Sequence, residues 1–263
     1  MSESSWNWKR VLLRHLQNVG RGFDTLDRIL RGREAGSPAD AGSALAKPVS
    51  IKTVIVLMLV LAPIYGVAMG SYAAVAGQRS WTEQSLQMVY SAIKVPLLLT
   101  MTVAIAIPSF FVINTLFGLR NQFGEALRAI ISAQAGLAII LVSLLPITIF
   151  VYVSLSVSSR GYSQGVMFNA LVFGIASVSA QVMLRRYYAP LIKRSPRQRM
   201  MLRLWILIYA FVGIQAAYVL RPFIGSPNEP TSFFRSEPFE NAYVVVFKLL
   251  WNLFGVLPGT FCT

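Results

Sequence analysis

Six stretches of the chain are apolar on every side of a helix, and short polar segments separate them. They run Val54 to Ala76, Val95 to Phe117, Ala129 to Leu155, Met167 to Leu184, Leu204 to Leu220 and Ala242 to Leu257. A water-facing helix shows one apolar stripe and a charged face, whereas these are hydrophobic all round. Each approaches the roughly 20 residues that cross a hydrocarbon core about 30 Å thick. The alternating segments of about ten residues that mark a membrane barrel are missing. The pattern therefore predicts an all-α fold, an integral membrane bundle of six transmembrane helices, with an amino-terminal amphipathic surface helix described below.

Threading the six spans in order sorts the charge. The basic residues before the first span, Arg120 and Arg128, and the group from Arg185 to Arg203 all fall on one side. Only Arg79, Lys94, Arg160, Arg221 and Arg235 fall on the other, and Lys248 lies within the last span. The positive-inside rule then places both termini in the cytoplasm and the loops near Arg79, Arg160 and Arg221 outside. The net charge of +14 is accounted for by topology and by attraction to anionic lipid, about 1 kcal/mol per basic residue near the surface. A nucleic-acid partner is not expected, because base-reading or stacking elements are missing. Arg185, Arg186, Lys193, Arg194, Arg197 and Arg199 are the expected contacts to anionic lipid headgroups.

Three regions follow. Residues 1–33 predict a basic cytoplasmic helix whose apolar seam is Leu12, Leu16, Val19, Phe23, Leu26 and Leu30. It either lies in the headgroup layer, anchored by Trp6 and Trp8, or pairs with a partner helix. Residues 34–52, rich in Ala, Gly, Ser and Pro, read as a flexible linker. Residues 53–263 hold the membrane domain. The first apolar stretch begins too far along to be a cleavable signal, so the first span is expected to direct insertion.

Within the membrane domain, Trp81 to Lys94 reads as a short interfacial helix that turns into the bilayer at Pro96, with Lys94 snorkelling to the outer headgroups. Gly66 and Gly70 form a GxxxG pair that permits close helix approach within the chain or between chains. Pro63, Pro108 and Pro146 are expected to kink their spans. The spans contain no Asp or Glu, and Asn114, Gln134, Asn169, Gln181, Gln215 and Asn252 read as interhelical hydrogen-bonding groups. Lys248, about two turns inside the last span, is an intramembrane charge. It is expected to snorkel, to meet a carbonyl freed by a kink, or to contact a lipid phosphate, a partner's carboxylate or an anion.

Catalytic chemistry finds little support. Gly161-Tyr162-Ser163-Gln164-Gly165 matches the GxSxG nucleophile elbow, but that elbow needs a strand-turn-helix setting and a histidine base. The single histidine, His15, falls on the opposite side of the membrane. No metal-ligand spacing or phosphate loop is present, and the one cysteine, Cys262, excludes an intramolecular disulfide framework. No cofactor is expected. Between Arg221 and Tyr243, four prolines and several aromatics predict an ordered outer loop, either a lid on its own bundle or a docking surface. Arg221, Pro222, Phe223, Phe233, Phe234 and Arg235 are its candidate partner-binding residues.

Lys94-Val95-Pro96-Leu97-Leu98-Leu99-Thr100, followed by Pro108 and Asn114, resembles a segment of poorly characterised bacterial multi-span proteins grouped as Yip1-like. Leu220-Arg221-Pro222-Phe223-Ile224-Gly225-Ser226-Pro227, with Phe234, Arg235 and Tyr243 after it, is similar to a second segment of that group. The resemblance covers about Thr53 to Trp251. It implies a helical membrane bundle without known catalysis and without an assigned substrate; the expected location is a bacterial inner membrane. The expected role is a non-enzymatic membrane subunit that anchors or scaffolds a complex with other membrane subunits or itself. The alternative is a channel or carrier for a small or lipidic solute, which requires a polar cavity near Asn114, Gln134 and Lys248.

Overall fold

The computed structural model describes Asp27, Ile29 and residues 50–75, 80–155, 161–221, 223–225 and 231–234. It is all-helical, with no strand among the described residues. Helix α1 (Ile51–Gly70) is followed by a single turn, α2 (Tyr72–Val75). Next come α3 (Trp81–Leu116), a 3-10 turn (Arg120–Gln122), α4 (Phe123–Ser143) and α5 (Leu145–Leu155). The series closes with α6 (Gly161–Arg194) and α7 (Arg197–Val219).

Five segments are long and apolar enough to cross a membrane: 51–75, 81–116, 120–143, 161–194 and 197–219. They coincide with the first five expected spans, so the chain is a multi-pass membrane bundle. The sixth, 242–257, with Lys248 and Asn252, lies outside the described residues, as do Pro222 and Arg235. Val56, Val60, Leu171, Val178, Leu207 and Phe211 project from the bundle unburied. An apolar belt of this extent suits lipid and not water.

Helix α4 is the central post. Of its apolar stretch 67% is buried, against 22% for α7, and α1 and α6 pack on it. Small residues make this possible: Ala126, Ala129, Ala133, Ala135 and Ala138 are all buried, letting neighbouring backbones approach closely. Helix α1 packs in turn on α3, and α3 on α7.

The expected break at Pro96 is absent, because α3 runs unbroken for 36 residues, about 54 Å. Gln87, Ser91, Lys94, Val95 and Leu98 form one buried face that passes straight through the proline. Pro96 costs the helix only its bond to the Ala92 carbonyl, and tertiary contacts on both sides hold the axis. The third span is divided instead. Helix α4 stops at Ser143, and Pro146 falls in the first turn of α5, where a missing N–H is harmless.

The GxxxG pair is used within the chain. A β-carbon on Gly66 would collide with the Ser91 carbonyl oxygen and lie 2.8 Å from Ala92 Cα. One on Gly70 would lie 2.8 Å from Met88 Cα. The two glycines thus seat α3 on α1 backbone to backbone.

At the end of the bundle where α6 meets α7, Phe110, Ile130, Tyr187, Tyr188, Met201 and Trp205 form an apolar core that includes Ile29. Asp27 and Ile29 are helical, and Ile29 is buried. The Tyr187 hydroxyl donates to its carbonyl. Ile29 lies outside the expected seam and packs in the protein's own bundle. The rest of residues 1–33, and the linker up to Val49, lie outside the described residues.

Candidate functional site

The amino-terminal half of α3 carries Gln87, Ser91 and Lys94 at spacings of four and three, which puts them on one helical face. All three are fully buried. Helix α1 clasps one edge of this face through Gly66 and Gly70, and the loop that follows α7 covers the rest.

The contacts are specific. Gln87 Nε2 donates to the Phe223 carbonyl at 2.9 Å and to Ser91 Oγ at 3.3 Å. The Ser91 hydroxyl donates to the same Phe223 carbonyl. Gly225 follows with φ of 77°, a left-handed conformation that glycine alone adopts without cost. A β-carbon there would also stand 3.0 Å from Gln87 Cδ. Ile224 is buried in the apolar core beside Val95 and Leu99. Further along, the Phe233 ring stands 5.0 Å from Lys94 Nζ. It meets Tyr90 edge-on at 5.3 Å and Phe234 at 4.9 Å.

Lys94 therefore does not snorkel. Burial of an ammonium is costly, and the Phe233 ring face gives it favourable electrostatics in place of water. The physical reason is the continuity of α3: the unbroken helix turns residue 94 toward the loop and away from the headgroups.

The six loop residues expected to bind a partner divide. Phe223 is half-buried against Leu98, Ala216 and Leu220, and Phe233 covers Lys94, so these two hold the loop down. Arg221 is exposed, with its guanidinium 5.5 Å from the Tyr218 ring. Phe234 is 48% exposed. These two face outward.

A second polar group lies inside the bundle. Asn169 Nδ2 donates to the Tyr152 hydroxyl at 2.6 Å and to the Gly165 carbonyl at 2.7 Å. Tyr65 donates to Asn169 Oδ1 at 3.4 Å, and Tyr152 to the Met69 carbonyl at 3.4 Å. This network ties α1, α5 and α6 together. Gln134 accepts from Tyr209 at 3.0 Å, joining α4 to α7. Asn114 folds back on its own helix, donating to the Phe110 carbonyl at 3.3 Å. Asn169 and Gln134 thus make the interhelical bonds expected of them, and Asn114 does not.

The GxSxG pentapeptide opens α6. A β-carbon on Gly161 would meet the Leu155 carbonyl and stand 2.7 Å from the Tyr72 hydroxyl. Gly165 faces the ring of Tyr72, while Ser163 is exposed. The glycines serve helix packing.

Around the junction of α6 and α7, Arg185, Arg186, Lys193, Arg194, Arg197 and Arg199 are all exposed. They occupy the outer faces of α6 and α7, whose inner faces bury Leu184, Tyr187, Tyr188, Leu191, Met201 and Leu202. Arg194 differs from the others. It grips Glu125 through both carboxylate oxygens at 2.8 and 2.9 Å. Beside it, Gln198 donates to Gln122 at 2.9 Å.

Sequence reading missed Gln87 and Ser91 as a functional pair. Their signal was the Gln-x3-Ser-x2-Lys spacing, a polar stripe on a helix otherwise apolar. No family model, curated protein or solved structure matches the chain. The likeness to the Yip1-like group rests on the two quoted segments alone.

Proposed function

We propose that this protein is a non-enzymatic membrane subunit that anchors or scaffolds a larger assembly. The observation that carries this reading is the clamped outer loop. Buried donors on α3 fix its backbone, an aromatic ring closes over Lys94, and Arg221 and Phe234 remain as an ordered outward relief. A fixed aromatic-and-arginine surface is the composition that anchors protein interfaces. On the cytoplasmic side, the exposed cations of α6 and α7 attract anionic headgroups and hold the bundle in the bacterial inner membrane. Both termini then lie in the cytoplasm, with 242–257 as the sixth span.

The carrier reading is less well supported. It requires a polar cavity near Asn114, Gln134 and Lys248; Asn114 is buried with its Nδ2 bonded to its own helix, Gln134 is buried and bonded to Tyr209 of α7, and Lys248 lies outside the described residues.

The test is purification of the full chain in mild detergent, followed by mass spectrometry. A second membrane protein should co-purify in fixed ratio. Arg221→Ala with Phe234→Ala should lower its recovery while membrane levels of this chain stay constant. A monodisperse monomer, under conditions that keep other complexes intact, overturns the proposal.

A further inference from the structure

The buried polar groups are unevenly paired. Near the start of α6, Asn169, Tyr152 and Tyr65 bond to one another. Where α6 meets α7, five residues carry buried side-chain atoms with no hydrogen-bond partner among the described residues: Asn114 Oδ1, both amide atoms of Gln181, the Tyr188 hydroxyl, Gln198 Oε1 and Trp205 Nε1. Of seven such atoms described, six belong to this region, and the seventh, Gln87 Oε1, belongs to the loop clamp. Asn114, Tyr188, Gln198 and Trp205 are fully buried. An orphaned buried donor or acceptor is costly and rare, so six in one region point to a shared ligand.

Helix geometry lines these groups up. Gln198, Leu202, Trp205 and Tyr209 follow at spacings of four, three and four along one face of α7, and Gln181, Leu184 and Tyr188 at three and four along one face of α6. Counted from the turn between Arg194 and Arg197, Gln198 stands at about 2 Å, Tyr188 at about 9 Å, Trp205 at about 12 Å, Tyr209 at about 18 Å and Gln181 at about 20 Å. Leu184, Tyr188, Leu202, Trp205 and Tyr209 belong to one contiguous core, so the two faces meet. Helix α3 joins them through Phe110, one turn from Asn114, whose ring centroid is 5.1 Å from that of Trp205.

The chemistry of the column selects its occupant. Trp205 Nε1 only donates, Asn114 Oδ1 and Gln198 Oε1 only accept, and Tyr188 and Gln181 do both. A ligand that serves all five therefore donates and accepts. It is also neutral, because the one charged residue buried among those described is Lys94, about 30 Å along α3 from Asn114, and an ion here would have no counter-charge. We infer that this end of the bundle holds a column of bound water, running from Gln198 to the Gln134–Tyr209 pair and Gln181. Buried water characteristically bonds to groups of this kind. Past Gln134 the packing turns apolar, with Ala135, Ala138 and Ala176 buried together. The column thus ends blind, hydrating one end of the bundle without opening a path across it.

Radiolytic footprinting of the full chain in detergent tests this. X-rays generate hydroxyl radicals from water where it is bound, so side chains touching bound water are oxidised even where bulk solvent does not reach. Mass spectrometry should find Trp205 oxidised, and Tyr188 oxidised several-fold more than Tyr152, which is as deeply buried but is bonded to Asn169. Radicals generated in bulk solution by iron and peroxide should leave all three unmodified. Trp205→Phe removes the donor and keeps a ring, and should lower the X-ray oxidation of Tyr188 in protein present at parental membrane levels. Oxidation of Tyr188 no greater than that of Tyr152 in the parent overturns the inference, whether the region is dry or holds an organic solute. So does equal oxidation by bulk radicals, which would put these groups in open solvent, and so does a Tyr188 signal unmoved by Trp205→Phe.

Discussion

Replacing Gly66 by alanine adds one methyl at the tightest contact in the bundle. The new carbon would overlap the Ser91 carbonyl oxygen and sit 2.8 Å from both Ala92 Cα and the Ser91 carbonyl carbon. All three atoms are backbone, so no side chain can swing away, and α3 must separate from α1. Overpacking of this kind costs about 1–3 kcal/mol. Alanine's better helix propensity returns up to about 1 kcal/mol, so crowding wins unless its cost is at the bottom of its range. Gly174 supplies the internal control, since it is exposed in α6 and a β-carbon there meets nothing within 4 Å. Gly174→Ala keeps the propensity gain without the clash. Thermal unfolding in detergent, followed by circular dichroism, should therefore rank Gly66→Ala below the parent and Gly174→Ala level with it or above. The displaced α3 also carries Ser91 away from the Phe223 carbonyl, so chymotrypsin added to the purified protein should cut after Phe223 faster in Gly66→Ala. Equal melting of the two alanine variants would refute the close-packed crossing.

Removing both loop donors, Gln87→Ala with Ser91→Ala, leaves the Phe223 carbonyl unpaired and costs about 1–3 kcal/mol; chymotrypsin cleavage after Phe223 should rise, with the bundle's melting changed less than the loop's protection. Gly225→Ala forces a left-handed backbone on a residue that resists it, at about 1–2 kcal/mol, and crowds Gln87, so it should loosen the loop in the same assay. Tyr209→Phe deletes one interhelical bond to Gln134 and should lower stability by about 0.6 kcal/mol, the average for such bonds in membranes; a loss larger than that of Gly66→Ala would contradict the ranking. Glu125→Ala removes an ion pair whose side chains are 51% and 56% exposed, and surface pairs contribute about 0–1 kcal/mol. Its melting temperature should match the parent at 0.15 M salt.

The five described spans were legible because continuous apolarity is a property of the chain itself. Any segment of some 20 residues that buries no charge and satisfies its own backbone will cross a bilayer. The distribution of Lys and Arg set the expected orientation in the same local way. The positions of Asn169 and Gln134 were also readable, since a lone amide in hydrocarbon requires a neighbour.

What each residue faces was not legible. Lys94 reads as an interfacial lysine from its neighbours in sequence, and it is buried because α3 continues through Pro96 and turns residue 94 under Phe233. Gly66 and Gly70 carry the same motif whether they meet another helix of the chain or a second molecule. Only the approach of Ser91 and Ala92 decides between them. Phe223 and Phe234 are equivalent by composition, yet one holds the loop and the other is presented outward. Composition and periodicity determined that the chain lives in a membrane and where it crosses, since transfer into lipid is summed residue by residue. Tertiary structure alone decided which polar groups meet, because a hydrogen bond or a ring over an ammonium depends on the positions of atoms far apart in sequence.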